Sequence, residues 1–182
     1  MTDNIPDYKL PACEGYGMFE PKYMFIGISG GRLGCLDTGV PFTKDMSGRL
    51  FQRAMYRLGY SSTGDETTVK PVYSGIYVTN LVKGKILDSK GLNRAPKNHE
   101  IRYWMGDLLD EIVLVKPQKI VAVGSVVYDY LKDETWGDGL YDATLLKVKH
   151  PSWYGRKGAL KNNSQAWIDM LEEYRYVLGE NK

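Results

Sequence analysis

Four short apolar runs punctuate the chain: Lys22–Ile28 (KYMFIGI), Ile76–Val82 (IYVTNLV), Lys119–Gly124 (KIVAVG) and Ala143–His150 (ATLLKVKH). Short apolar runs bounded by glycine or charge predict strands, and the near-continuous ones predict strands covered on both faces. Between the runs the period changes. Leu50, Phe51, Ala54, Met55 and Leu58 recur at helical spacing, and Gly59 ends the pattern. Ile101, Met105, Leu108, Leu109, Ile112 and Val113 mark a second helix, with Pro96 suited to its first turn and Pro117 closing it. Ser125 can cap a short third helix through about Leu131, and Trp167, Met170, Leu171, Tyr174 and Leu178 mark a last one. Apolar strands alternating with amphipathic helices predict an α/β fold: three α/β/α layers around a central, mainly parallel four-stranded sheet with right-handed crossovers. Residues 1–20, with Pro6, Pro11, Gly15 and Gly17, read as an irregular arm on a single domain spanning 1–182.

Composition narrows the class. A hydrophobic fraction of 43% with 25% charged residues is that of a globular chain with a core. No apolar stretch approaches the roughly 18 residues of a membrane span, and the start has no secretory pattern. Cys13 and Cys35 offer neither a CxxC pair nor a disulfide framework, so a cytoplasmic protein is expected. The net charge is only +2, but it is segregated. Lys147, Lys149, Arg156, Lys157 and Lys161 follow one another with no acid between them, whereas Asp133, Glu134, Asp138 and Asp142 form an acidic stretch. Such segregation suits a basic face for a polyanion; a solvated lysine-rich surface is the plainer alternative.

In parallel sheets, ligands lie beyond the carboxyl ends of the strands. Here those ends bring together the Gly27–Phe42 loop, Asn80, and His150 with the segment KHPSWYGRKG. An asparagine at a strand end can donate and accept at once, which suits the polar edge of a nucleobase, although satisfying local backbone is its commoner use. His150 can donate to an oxygen that gains negative charge. Phe42 can stack on a ring or serve the core. The stretch GISGG has neither the GxGxxG spacing of a dinucleotide site nor a P-loop ending. No His, Cys, Asp or Glu cluster has metal-ligand spacing, and there is no GxSxG elbow.

Taken in order, four stretches resemble the uracil-DNA glycosylase superfamily, and most of all its family 4 branch. They are FIGISGGRLGCLDTGVPF, YVTNLVKGK with NRAP, LLDEIVLVKPQKIVAVGSVVYDYL, and KHPSWYGR, together spanning about Lys22 to Leu171. The resemblance implies a monofunctional DNA glycosylase that hydrolyses the N-glycosidic bond of uracil or another deaminated base. It implies DNA as partner and no membrane association, and a monomer is expected. It casts Phe42 as the stacking ring, Asn80 as the reader of the base edge, and His150 as the donor to O2. Gly27, Ile28, Gly30 and Gly31 would line the base. Lys83, Ser152, Arg156 and Lys157 would hold the DNA backbone, with Trp153 or Tyr154 wedging into the gap left by the flipped base.

The chain departs from that pattern twice. The first motif reads Gly27-Ile28-Ser29-Gly30-Gly31, without the acidic or amide side chain that positions water. Ser29 is then the residue expected to hold the water, and Asp37 is the nearest acid along the sequence. A non-catalytic DNA-binding module of the same fold is the alternative. The family 4 branch also carries a four-cysteine iron–sulfur cluster, whereas Gly84 and Trp104 stand at two of its ligand positions. No cofactor and no metal are therefore expected, with packing around Trp104 in their place.

Overall fold

The computed structural model describes residues 5–133 and 143–179. Glu134, Asp138 and Asp142 of the acidic stretch lie outside the described residues.

The sheet has five strands. They are β1 (Tyr16–Gly17), β2 (Tyr23–Ser29), β3 (Ile76–Val82), β4 (Lys119–Val123) and β5 (Thr144–Val148), in the order β1-β3-β2-β4-β5. The pairs β3–β2, β2–β4 and β4–β5 are parallel, as the alternating pattern predicts; β1 is antiparallel to β3 and is the strand beyond the expected four. Its two residues carry no hydrophobic pattern of their own, and they become a strand only by pairing with Tyr77 and Val78. The expected irregular arm is thus ordered in part. A 3₁₀ turn at Asp7–Lys9 precedes β1, and Ala12 and Cys13 donate backbone hydrogen bonds to the Lys83 carbonyl at 2.9 and 3.1 Å.

Six helices flank the sheet among the described residues: α1 (Cys35–Thr38), α2 (Met46–Arg57), α3 (Asn98–Val115), α4 (Ser125–Leu131), α5 (Pro151–Arg156) and α6 (Gln165–Val177). The alternation of strand side chains decides the layers. Tyr23 and Phe25, with Val121 and Val123, face α2, α5 and α6 through Phe51, Tyr154, Trp167 and Tyr174. Met24 and Ile26, with Ile120 and Ala122, face α3 and α4 through Ile101, Leu108, Ile112 and Leu131. The register places Gly27 of β2 beside Asn80 of β3, so residues far apart in sequence meet at the carboxyl end of the sheet.

Candidate active site

The cavity at this end of the sheet has a volume of about 260 Å³. That is slightly below the usual range for ligand pockets, roughly 300–1,000 Å³, and suits a single small ring system. Gly27, Ile28, Ser29, Gly30 and Gly31 form one wall; Phe42, Asn80, His150 and Ser152 form the others. The structure therefore brings together nine of the residues singled out from the sequence.

Gly27 makes the arrangement possible. A Cβ there would lie 2.5 Å from Asn80 Oδ1 and 3.0 Å from the tip of Phe42. Asn80 is almost wholly buried, and its Nδ2 donates to Cys13 Sγ at 3.2 Å. The amide nitrogen thus points at sulfur, a weak acceptor, and the carbonyl is left toward Gly27 and the cavity. Phe42 stacks on Phe51 with ring centroids 4.5 Å apart. Its backbone is left-handed, at φ 54°, and its carbonyl accepts from Gln52 Nε2 at 3.2 Å. A bulky residue in this conformation is strained, and it persists where its surroundings over-determine it.

His150 is the N-cap of α5. The backbone N–H of Ser152 donates to its Nδ1 at 3.2 Å, with Ser152 Oγ 2.8 Å from the same nitrogen. A nitrogen that accepts carries no proton, so the neutral ring is the Nε2–H tautomer. Burial, and then the Arg156 charge, push the His150 pKa down from 6.5 to about 4, which keeps the ring neutral at physiological pH.

The segment after His150 forms α5, and its aromatics divide. Tyr154 is 1% exposed, lies in the core and donates its hydroxyl to Glu173. It cannot be the wedge, because its ring is spent on joining α5 to α6. Trp153 is half-buried, with Lys157 Nζ 3.7 Å and Lys149 Nζ 5.1 Å from its ring centroid. Gly155 lets α5 pack on α2, since a Cβ there would meet the Met46 sulfur at 2.6 Å. Arg156 and Lys157 are exposed.

Lys83, read from sequence as a phosphate-gripping cation, is 6% exposed. Its ammonium is paired with Glu111 and donates to Thr79 Oγ1. It is buried because Glu111 sits on the inward face of α3, where it also accepts from Tyr77 at 3.0 Å and from Thr79 at 3.0–3.1 Å. Cys13 and Cys35, expected to be unpaired, form a disulfide with Cα atoms 5.7 Å apart. Gly84 and Trp104 both pack on the Tyr8 carbonyl: Trp104 Nε1 donates to it at 2.6 Å, and a Cβ on Gly84 would overlap it. With the chain's two cysteines bonded to each other and these positions filled by the arm, the residues do not fit a four-thiolate cluster.

Sequence reasoning missed Asp45, Ser47, Asn93 and Arg94, which also line the cavity. Asp45 reads as an ordinary N-cap, and Asn93 and Arg94, although part of the NRAP stretch that carries the resemblance, were given no role in the site. Asn93 Oδ1 accepts from the Arg32 N–H at 2.8 Å and so ties the two sides of the crevice together. Arg94 is held by a two-point pair with Glu100.

The sequence matches the model of the uracil DNA glycosylase superfamily over residues 14–173. The chain belongs to that superfamily. Among solved structures, that of wild-type SMUG2 from Pedobacter heparinus is similar in fold, with a TM-score of 0.58 and 12% identity over 88% of this chain and 76% of that one. No curated protein matches the sequence. In this superfamily member, no helix among the described residues is long and apolar enough to cross a membrane.

Proposed function

We propose that this superfamily member is a monofunctional DNA glycosylase acting on uracil or another deaminated base. The observation that carries the reading is that His150, locked as the Nε2–H tautomer, lines the same cavity as Phe42 and an Asn80 whose carbonyl faces inward. Uracil, hypoxanthine and xanthine each present a ring N–H next to a carbonyl. An inward amide carbonyl accepts from that N–H, whereas the ring nitrogen of cytosine or adenine is itself an acceptor and would be repelled. As the N-glycosidic bond breaks, its electron pair moves onto the base, and the neutral imidazole N–H donates to the carbonyl oxygen that becomes anionic. No lysine lines the cavity among the described residues, which supports water as the nucleophile and no Schiff base.

The test uses single- and double-stranded oligonucleotides carrying uracil, hypoxanthine or xanthine, followed by alkali. Abasic product on at least one base, lost in Asn80→Ala, is the expected result. The absence of side-chain acid or amide at Ile28 and Ser29 favours the second reading, a binding module. Tight binding with no abasic product on all three bases would establish that reading instead.

Arg156 and Lys157, exposed at the C-terminal end of α5, are proposed to meet phosphates, with Trp153 beside them as the wedge. Binding should weaken steeply with salt, and the log–log slope should fall by about one for each of Arg156→Ala and Lys157→Ala. A slope unchanged in both variants would remove them from the interface.

A further inference from the structure

The first motif has no side chain suited to activating water, yet a carboxylate stands directly behind it. Asp45 caps α2: its Oδ1 accepts from the Gly48 N–H at 2.8 Å. Its Oδ2 lies against the glycine loop. An ideal Cβ on Gly31 or on Gly34 would fall 2.5 Å from that oxygen. Gly31 does not have a positive φ, so conformational freedom is no reason for glycine there. The space is. Any side chain at Gly31 would collide with the Asp45 carboxylate, and Gly31 and Asp45 line the same cavity.

The chain reaches this position at a cost. Phe42 and Lys44 both take left-handed backbone, at φ 54° and 63°. Asp45 N–H then donates back to the Thr43 carbonyl at 2.7 Å. Two strained non-glycine residues thus flank the turn that delivers both Phe42 and Asp45 to the cavity. The other nearby acid is not available. Asp37 is exposed and paired with Lys44. Ser29 also lines the cavity, but a neutral hydroxyl is a poor proton acceptor.

We propose that Asp45 is the catalytic carboxylate of this enzyme, holding the hydrolytic water and taking its proton across the gap left by Gly31 and Gly34. This rests on the glycosylase reading above. In the step, the water oxygen bonds to C1′, and the C1′–N bond breaks with its electron pair going to the base. One water proton passes to Asp45, which later releases it to solvent, and the base anion takes a proton from solvent. Burial raises the Asp45 pKa against the opposing backbone hydrogen bonds, and a raised pKa makes a carboxylate the better base.

The experiment is single-turnover cleavage of the oligonucleotide panel by the full chain. Asp45→Asn retains the N-cap, because asparagine caps as well as aspartate, so the thermal midpoint should hold. Its rate should fall by about 10²-fold or more. Its affinity for DNA carrying a non-hydrolysable 2′-fluoro deaminated nucleotide should stay within about twofold, a split that a structural role would not give. Gly31→Ala leaves the charge in place but pushes the carboxylate aside, and should lower the rate by about tenfold or more. Asp45→Asn within about threefold of wild type, with Ser29→Ala carrying the loss, would assign the water to Ser29 and overturn the proposal. A wild-type chain inactive on every base would instead overturn the glycosylase reading, and this inference with it.

Discussion

Replacing His150 with alanine is expected to lower the single-turnover rate on the preferred base by about 10²–10³-fold, the usual loss when one donor to a developing oxyanion is removed. Substrate affinity should change far less, because the donor matters most once charge has moved onto the base. His150→Gln, which keeps an N–H donor, should recover part of the rate. The pH profile identifies the form that acts. An imidazolium of ordinary pKa would lose rate as pH rises through 6.5. Here the folded pKa is about 4, set by burial and by Arg156, so the His150 contribution should be flat from about pH 5 upward. A rate that falls between pH 6 and 7 and follows His150 titration by NMR would contradict the neutral-donor mechanism. The same depression has a sign in stability. Between about 4 and 6.5 the unfolded chain binds a proton that the folded chain does not, so stability falls as pH drops through that window. His150→Ala should remove that part of the slope.

The largest expected loss of stability comes from Glu111→Leu, about 3–5 kcal/mol by urea denaturation. Lys83 and Glu111 have side chains only 8% and 14% exposed, so removing the carboxylate leaves an ammonium with little water to turn to. Burial already pulls the Lys83 pKa below its ordinary value, and Glu111 is the main charge opposing that pull. The variant also removes the carboxylate to which the Tyr77 and Thr79 hydroxyls both donate. Lys83→Met should cost less, because the carboxylate that remains still accepts from those two hydroxyls. Gly15 of the arm packs directly on this cluster: a Cβ there would overlap Glu111 Oε1 and the Tyr77 hydroxyl. Glu111→Leu should therefore also loosen the arm, seen as faster hydrogen exchange at Ala12 and Cys13. A loss below about 1 kcal/mol, the value of an exposed pair, would mean that the ion pair is solvated.

The four predicted strands were legible because each is a contiguous apolar run, a pattern that burial on two faces imposes locally. The helices α2, α3 and α6 were legible for the same reason at a different period. What escaped had no local period to show. The strand β1 has two residues, and α5 has six, too few for an amphipathic pattern. Lys83 looked like a strand-end cation because its partner is 28 residues away. One signal was present: Glu111 lies on the stripe formed by Leu108, Ile112 and Val115, where an acid needs a buried partner. Cys13 and Cys35 likewise look isolated until β3 brings the arm beside the glycine loop.

By itself, the sequence determined the α/β layering, the family, and which side chains end at the carboxyl edge of the sheet. Phe42, Asn80 and His150 were identifiable because glycines, strand ends and a His-Pro pair mark them within a few residues. Tertiary structure alone decided how each group is buried, paired and oriented there. It turned Tyr154 into the core and buried Lys83 against Glu111. It also aimed the Asn80 carbonyl inward by giving its nitrogen to Cys13, and set the Asp45 carboxylate into the space two glycines leave. The physical reason is the same in each case. Burial follows from contiguous side-chain pattern, but the orientation and protonation of a polar group depend on partners that only folding brings within hydrogen-bonding distance.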